Sequence, residues 1–137
     1  MSFETDLLIY GKDKEIIKPS VIVEAKIENV STHDAITNSY KVQSHKNVTP
    51  YIRYRIMLGN RGHYPLQGIL FRHCTNFDFM ISFKDYILNE YEEIAFIELM
   101  KKEIAYSKNI EETIYESRSK DRRRYFIMRK ELRLEEI

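Results

Sequence analysis

Two carboxylates and an amine stand where they can handle a cation. Glu24 and Lys26 flank Ala25 at the end of the run Val21-Ile22-Val23, and Asp6 opens an earlier apolar run, Leu7-Leu8-Ile9-Tyr10. Side chains of an extended chain alternate faces. One face of residues 20–28 therefore carries Val21, Val23, Ala25 and Ile27, and the other carries Ile22, Glu24, Lys26 and Glu28. An antiparallel pairing with Tyr10 opposite Ser20 sets Leu8 against Ile22 and Asp6 against Glu24. Opposed Cα atoms lie about 4.5–5.5 Å apart. Carboxylates that close repel unless a cation lies between them, and Mg²⁺ commonly takes one or two carboxylates while keeping several waters. Register decides the matter. A tight turn at residues 11–14 pairs Asp6 near Pro19 instead, unless Pro19 forces a bulge that restores the offset. The plain alternative is an exposed Glu-Lys pair on a half-solvated strand.

The surrounding elements have to deliver that geometry. Residues 6–10 read as a short strand, 11–14 as a turn, and 20–28 as a strand rich in β-branched residues, with Pro19 interrupting regular pairing. Ser31 and Thr32 are candidate N-caps of a helix with Asp34 in its first turn, running to Lys46 and ended by residues 48–50. Residues 51–58 form a third strand. Further strand candidates are 68–72 and 77–83, broken by Cys74-Thr75-Asn76. From Asp85 or Asn89 to Ser107 the apolar spacing turns helical, and Asn109 with Glu112 suggests a newly capped helix. In the tail, 125–128 suits a strand and 129–136 a helix. The expected class is α/β, a mixed sheet flanked by helices, with an extended C-terminal helical region.

Asp6, followed by Glu24-Ala25-Lys26 at the end of an apolar β run and then by a helix and two more strands, resembles the PD-(D/E)xK (restriction-endonuclease-like) nuclease core. The resemblance covers residues 6–83. It implies that Asp6, Glu24 and the Ala25 carbonyl bind Mg²⁺, with Mn²⁺ as a substitute, and that Lys26 positions or activates the attacking water. Such an ion stabilises charge on the scissile phosphate and lowers the pKa of bound water. Thr5 stands where the family has proline. The family also places a helix before the first acid, often with a further glutamate. The implied unit is thus a single domain over 1–137, with its core at 4–84 and a helical extension at 85–137, completed by a preceding part or by a partner.

Other residues stand near enough in sequence to assist. Asp34, Asn38, Lys41 and His45 recur at steps of 4, 3 and 4 and form one polar helical stripe. In the nuclease reading Lys41, Gln43 or His45 reaches a phosphate; otherwise the stripe is a solvated face. Arg53 and Arg55 share a strand face and either grip a phosphate backbone or pair with acids on an adjacent strand. His73, Cys74 and Asp78 lack the surroundings of a nucleophile elbow, so Cys74 reads as a buried or loop thiol.

Composition bounds the function. A chain of 137 residues, 43 % hydrophobic and 31 % charged, is that of a globular domain. No apolar run nears the roughly 18 residues that span a bilayer, no signal peptide is visible, and a lone cysteine fits a reducing cytoplasm. The histidines, His33, His45, His63 and His73, lack zinc-motif spacing. Net charge is only +1, yet Lys120 and Arg122 to Arg124 form a late basic cluster, which is a phosphate patch or a solvated segment. The expectation is a Mg²⁺-dependent DNA endonuclease of restriction or repair type, acting as a homodimer or with a partner. The alternative is a catalytically inactive nucleic-acid-binding or assembly module of the same fold.

Overall fold

The computed structural model describes residues 5–62, 66–116, 118–121, 127–131 and 133–136. In chain order the elements are β1 (Leu7–Asp13), β2 (Ile16–Ile27), α1 (Thr32–Val48), β3 (Arg53–Gly59), α2 (Gly68–His73), β4 (Phe79–Ser82) and α3 (Glu90–Glu116). The four strands form one mixed open sheet in the order β1-β2-β3-β4. β1 is antiparallel to β2, while β3 and β4 run parallel to it. Parallel neighbours require crossovers, and α1 and α2 supply them.

The two faces of the sheet are covered differently. Ile22, Tyr54, Ile56 and Leu58 pack with Ala35 and Val42 of α1 and with Leu70 and Cys74 at α2. Val21 and Val23 pack on the other side with Met100, joined by Phe96, Leu99 and Ile104 of α3. β2 and β3 are therefore buried on both faces through their middle, which is why 21–23 is continuously apolar rather than alternating. The half-solvated strand of the plain alternative does not occur at Glu24, which is 4 % exposed.

The hairpin differs from expectation in a way that matters. Its turn lies at Lys14 and Glu15, not at residues 11–14, and Lys14 is left-handed at φ 56°. Tyr10 pairs with Pro19 and Ile9 with Val21, so Ser20 is the extra residue of a bulge. Had the tip register continued, Asp6 would fall opposite Val23. The bulge advances the pairing to Leu8 with Ile22 and Leu7 with Val23, which carries Asp6 to Glu24. Pro19 has no N–H to give to a ladder, and the break falls beside it.

Three other expectations are corrected. Residues 68–72 are not a strand; they lie in α2, where Leu70 and the C-cap Cys74, four apart, turn one face into the core. A short apolar run looks alike in either state. No helix begins at Asn109, because α3 is continuous through it and the Asn109 carbonyl accepts from Thr113 Oγ1 at 2.7 Å. The capping box lies at Asn89, where Asn89 N–H donates to Glu92 and Glu92 N–H returns to the Asn89 side chain. In the tail, residues 127–131 and 133–136 are neither helix nor strand; Tyr125 and Phe126 lie outside the described residues.

Candidate functional site

The site forms where the start of β1 meets the end of β2 beneath α1. Asp6 Oδ2 accepts from the Ala25 N–H at 2.8 Å. The first acid thus bonds to the middle residue of Glu24-Ala25-Lys26. Lys26 shares the α1 side of β2 with Glu24 and is half-buried. Its charge is a lesser cause of the lowered pKa of Asp34, which follows first from hydrogen bonds with Ser31.

Glu24 is the centre of a buried polar network. Its Oε1 meets Lys41 Nζ at 2.6 Å and accepts from the Tyr54 hydroxyl at 3.2 Å. The Tyr54 oxygen lies 3.0 Å from His45 Nδ1, with the two rings stacked at 5.5 Å. A phenol has one proton to give. Since Tyr54 gives it to Glu24, His45 donates from Nδ1 to the Tyr54 oxygen. Burial lowers the His45 pKa, with nearby Lys41 adding to the shift. Burial, followed by the charge of Glu24 and then Asp6, raises that of Tyr54. The phenol stays protonated, and it senses both carboxylates.

This arrangement explains why the inner face of α1 carries polar residues beside Ala35 and Val42. α1 opens with a capping box at Ser31 and Asp34, then turns Asn38, Ser39 and Lys41 inward, while Ile36 and Tyr40 face out at 51 % and 65 % exposure. Burying polar groups is costly unless they are paired. Of the stripe, Asn38, Lys41 and His45 therefore face the sheet rather than solvent, while Asp34 is held in the exposed capping box with Ser31. Gln43 is exposed and donates to Asn47 at 2.8 Å on the outer surface.

Arg53 and Arg55 lie on the opposite face of the sheet, beneath α3. Arg53 pairs with Asp78 at 3.1 Å and Glu103 at 2.6 Å. Arg55 is 0 % exposed, held between the rings of Phe79 and Phe96, with Nη1 on Met100 Sδ at 3.2 Å. Burial lowers its pKa to about 10. A phosphate backbone does not reach a guanidinium so covered. The expectation of phosphate contact is corrected for Arg55, and for Arg53 the acid-pairing alternative is the one observed. Cys74 is buried with its pKa raised to about 11 by burial, the environment of an inert thiol. His63 and Arg122 to Arg124 lie outside the described residues.

Sequence reading did not single out Tyr54 as a site residue. No local signal marks it; only the pairing of Ile22 with Tyr54 brings its hydroxyl to Glu24. Among the described residues no group of three or more His, Cys, Asp or Glu side chains is close enough to hold a metal. The oxygen donors that share this corner are the Asp6 and Glu24 carboxylates and the backbone of Ala25. An open groove of about 590 Å³ at the hairpin tip, lined by Lys12, Asp13, Lys18, Lys108, Glu111 and Glu112 among others, contains none of these residues, and those six charges cancel.

Comparison with protein-family models, with curated proteins and with solved structures returns no match. No helix among the described residues is long and apolar enough to cross a membrane.

Proposed function

We propose that this protein is a divalent-metal-dependent phosphodiester hydrolase acting on DNA, with the strand pairing of a PD-(D/E)xK core. The observation that carries the reading is the bulge-set register, which bonds Asp6 to the backbone of Ala25 and brings it alongside Glu24. Two carboxylates and a backbone carbonyl are hard oxygen donors, the kind that suits Mg²⁺ or Mn²⁺. Asp6, Glu24 and the Ala25 carbonyl would hold the ion, which when bound supplies charge stabilisation and an acidified water. Lys26 follows on the same face and would orient that water. Tyr54 and Lys41 hold the Glu24 carboxylate in place. The parallel β2-α1-β3 unit, with α1 over Glu24, agrees with this reading.

Plasmid cleavage in Mg²⁺ or Mn²⁺ tests it. Asp6→Asn and Glu24→Gln should abolish cleavage and any metal-induced rise in melting temperature. Lys26→Ala should abolish cleavage while leaving that rise, since the lysine is no ligand. Wild-type cleavage by Lys26→Ala would remove it from the mechanism.

One observation favours a second reading. Glu24 already has a charged partner at 2.6 Å in Lys41, as in a structural ion pair. A non-catalytic nucleic-acid-binding or assembly module of this fold would show no metal-dependent change in any of these variants.

A further inference from the structure

Glu24 has two positive suitors. In the resting fold its carboxylate meets the Lys41 ammonium, and both polar contacts, Lys41 at 2.6 Å and Tyr54 at 3.2 Å, fall on Oε1. Lys41 and Glu24 side chains are 11 % and 5 % exposed. A buried carboxylate needs a counter-charge. If Glu24 is also a cation ligand, the ammonium and the cation compete for the same charge.

We propose that Lys41 is a resident counter-ion that Glu24 exchanges when a divalent cation binds, and that the ammonium so released turns to a phosphate of the nucleic acid. The inference rests on the metal-dependent reading above and adds a regulatory step to it. Three features of the fold suit an exchange rather than a permanent pair. Lys41 reaches the sheet from α1, a different element, on a long flexible side chain, so it can move while the strands stay fixed. Tyr54, backed by His45, keeps its own hydrogen bond to Oε1 and holds the carboxylate in place as the ammonium leaves. Asp6 is bonded to the Ala25 N–H rather than to Lys41, so the second carboxylate needs no exchange. The consequence is coupling. Cation and phosphate each favour the state in which Lys41 has left Glu24, so each strengthens binding of the other.

The experiment measures Mn²⁺ affinity by calorimetry for the full chain and for Lys41→Gln, Lys41→Arg, Glu24→Gln and the Glu24→Gln/Lys41→Gln double variant. Lys41→Gln keeps a donor for Glu24 and removes the charge, and far-ultraviolet circular dichroism confirms its fold. It should bind Mn²⁺ about tenfold more tightly than the parent, yet cleave DNA more slowly. Lys41→Arg should restore the parent's affinity, and both Glu24→Gln variants should bind none. Tight binding by Lys41→Gln with none by the parent also supports the exchange. Parent binding with equal or weaker binding by Lys41→Gln overturns the exchange and leaves the metal site standing. Absence of binding in every variant overturns both. Should Lys41→Gln be unfolded, Lys41→Met provides the same comparison.

Discussion

Asp78 shows how one side chain can tie several elements together without being catalytic. Its Oδ1 meets Lys46 at 2.7 Å and Arg53 at 3.1 Å, and its Oδ2 accepts from the Tyr54 N–H at 2.6 Å. It thereby joins the end of α1, the start of β3 and the approach to β4, while Arg53 carries the link on to Glu103 of α3. Removing it takes Lys46's carboxylate partner away in partly buried surroundings and leaves Arg53 with Glu103. Asp78→Ala should therefore lower unfolding free energy by about 3 kcal/mol, as read by urea titration; a change under a few tenths would make the network decorative. His45 adds a pH dependence. Its folded pKa lies below the ordinary 6.5 because burial disfavours the cation. The unfolded chain then binds that proton first. The stability contributed by neutral His45 is complete above 6.5 and is lost as pH falls through the lowered value. Histidine NMR titration should place the His45 midpoint below the ordinary histidine value; a midpoint at or above that value would contradict its burial. At this scale the sequence was legible where spacing carries meaning. The stripe holding Lys41 and His45 follows from helical steps, and Glu24 and Lys26 from strand alternation. Tyr54 and Asp78 act through partners distant in sequence, and nothing local announces them.

The hairpin of β1 and β2 decides whether the residues meet at all. Its two-residue turn has Lys14 at φ 56° with no positive φ at Glu15, the pattern in which glycine is favoured at the first turn position. A β-carbon there is strained, so Lys14→Gly should stabilise the fold by about 1 kcal/mol in thermal melts, without altering Asp6. A drop in stability would show that the lysine side chain matters more than its backbone. Pro19 has the opposite role. Pro19→Val restores the N–H and permits regular pairing, which would slide Asp6 toward Val23. The Ala25 amide, bonded to Asp6 at 2.8 Å, should then exchange with solvent at least about tenfold faster, as should the same amide in Asp6→Ala. Unchanged protection in both would deny the contact. The register that brings Asp6 to Glu24 was readable from the chain as one of two, together with a bulge at Pro19 as the device that could restore it. The turn at Lys14 and Glu15, which pairs Tyr10 with Pro19, was not, because its energy lies in the pairing of both strands. Likewise 68–72 carries no periodicity long enough to separate helix from strand, and only packing against α1 decides it.

At the scale of the whole molecule the sheet is asymmetric. Among the described residues nothing pairs with the outer edge of β1, whereas β4, the other edge, is only four residues long. Short edges resist pairing, but a seven-residue edge with exposed apolar side chains invites it. Leu7, Leu8 and Tyr10 are exposed along β1. Its charges suit a second copy of the same strand. Antiparallel pairing of two β1 strands centred on Ile9 sets Leu8 opposite Tyr10 and Asp6 opposite Lys12, an apolar pair inside an ionic one, repeated by the two-fold axis. The exposed Ile127 and Met128 of the tail offer a rival surface, but they stand apart from any helix or strand, and isolated apolar residues are ordinary on monomers. Light scattering at micromolar concentration should therefore give a mass of twice 16.5 kDa. Lys12→Asp, which sets like charges opposite each other, should return the chain to monomer, while paired charge substitutions at Ile127 and Met128 should leave it dimeric. A 16.5 kDa particle in the parent would end the dimer altogether. A dimer lost only on changing Ile127 and Met128 would move the interface to the tail and leave the β1 edge open for another chain.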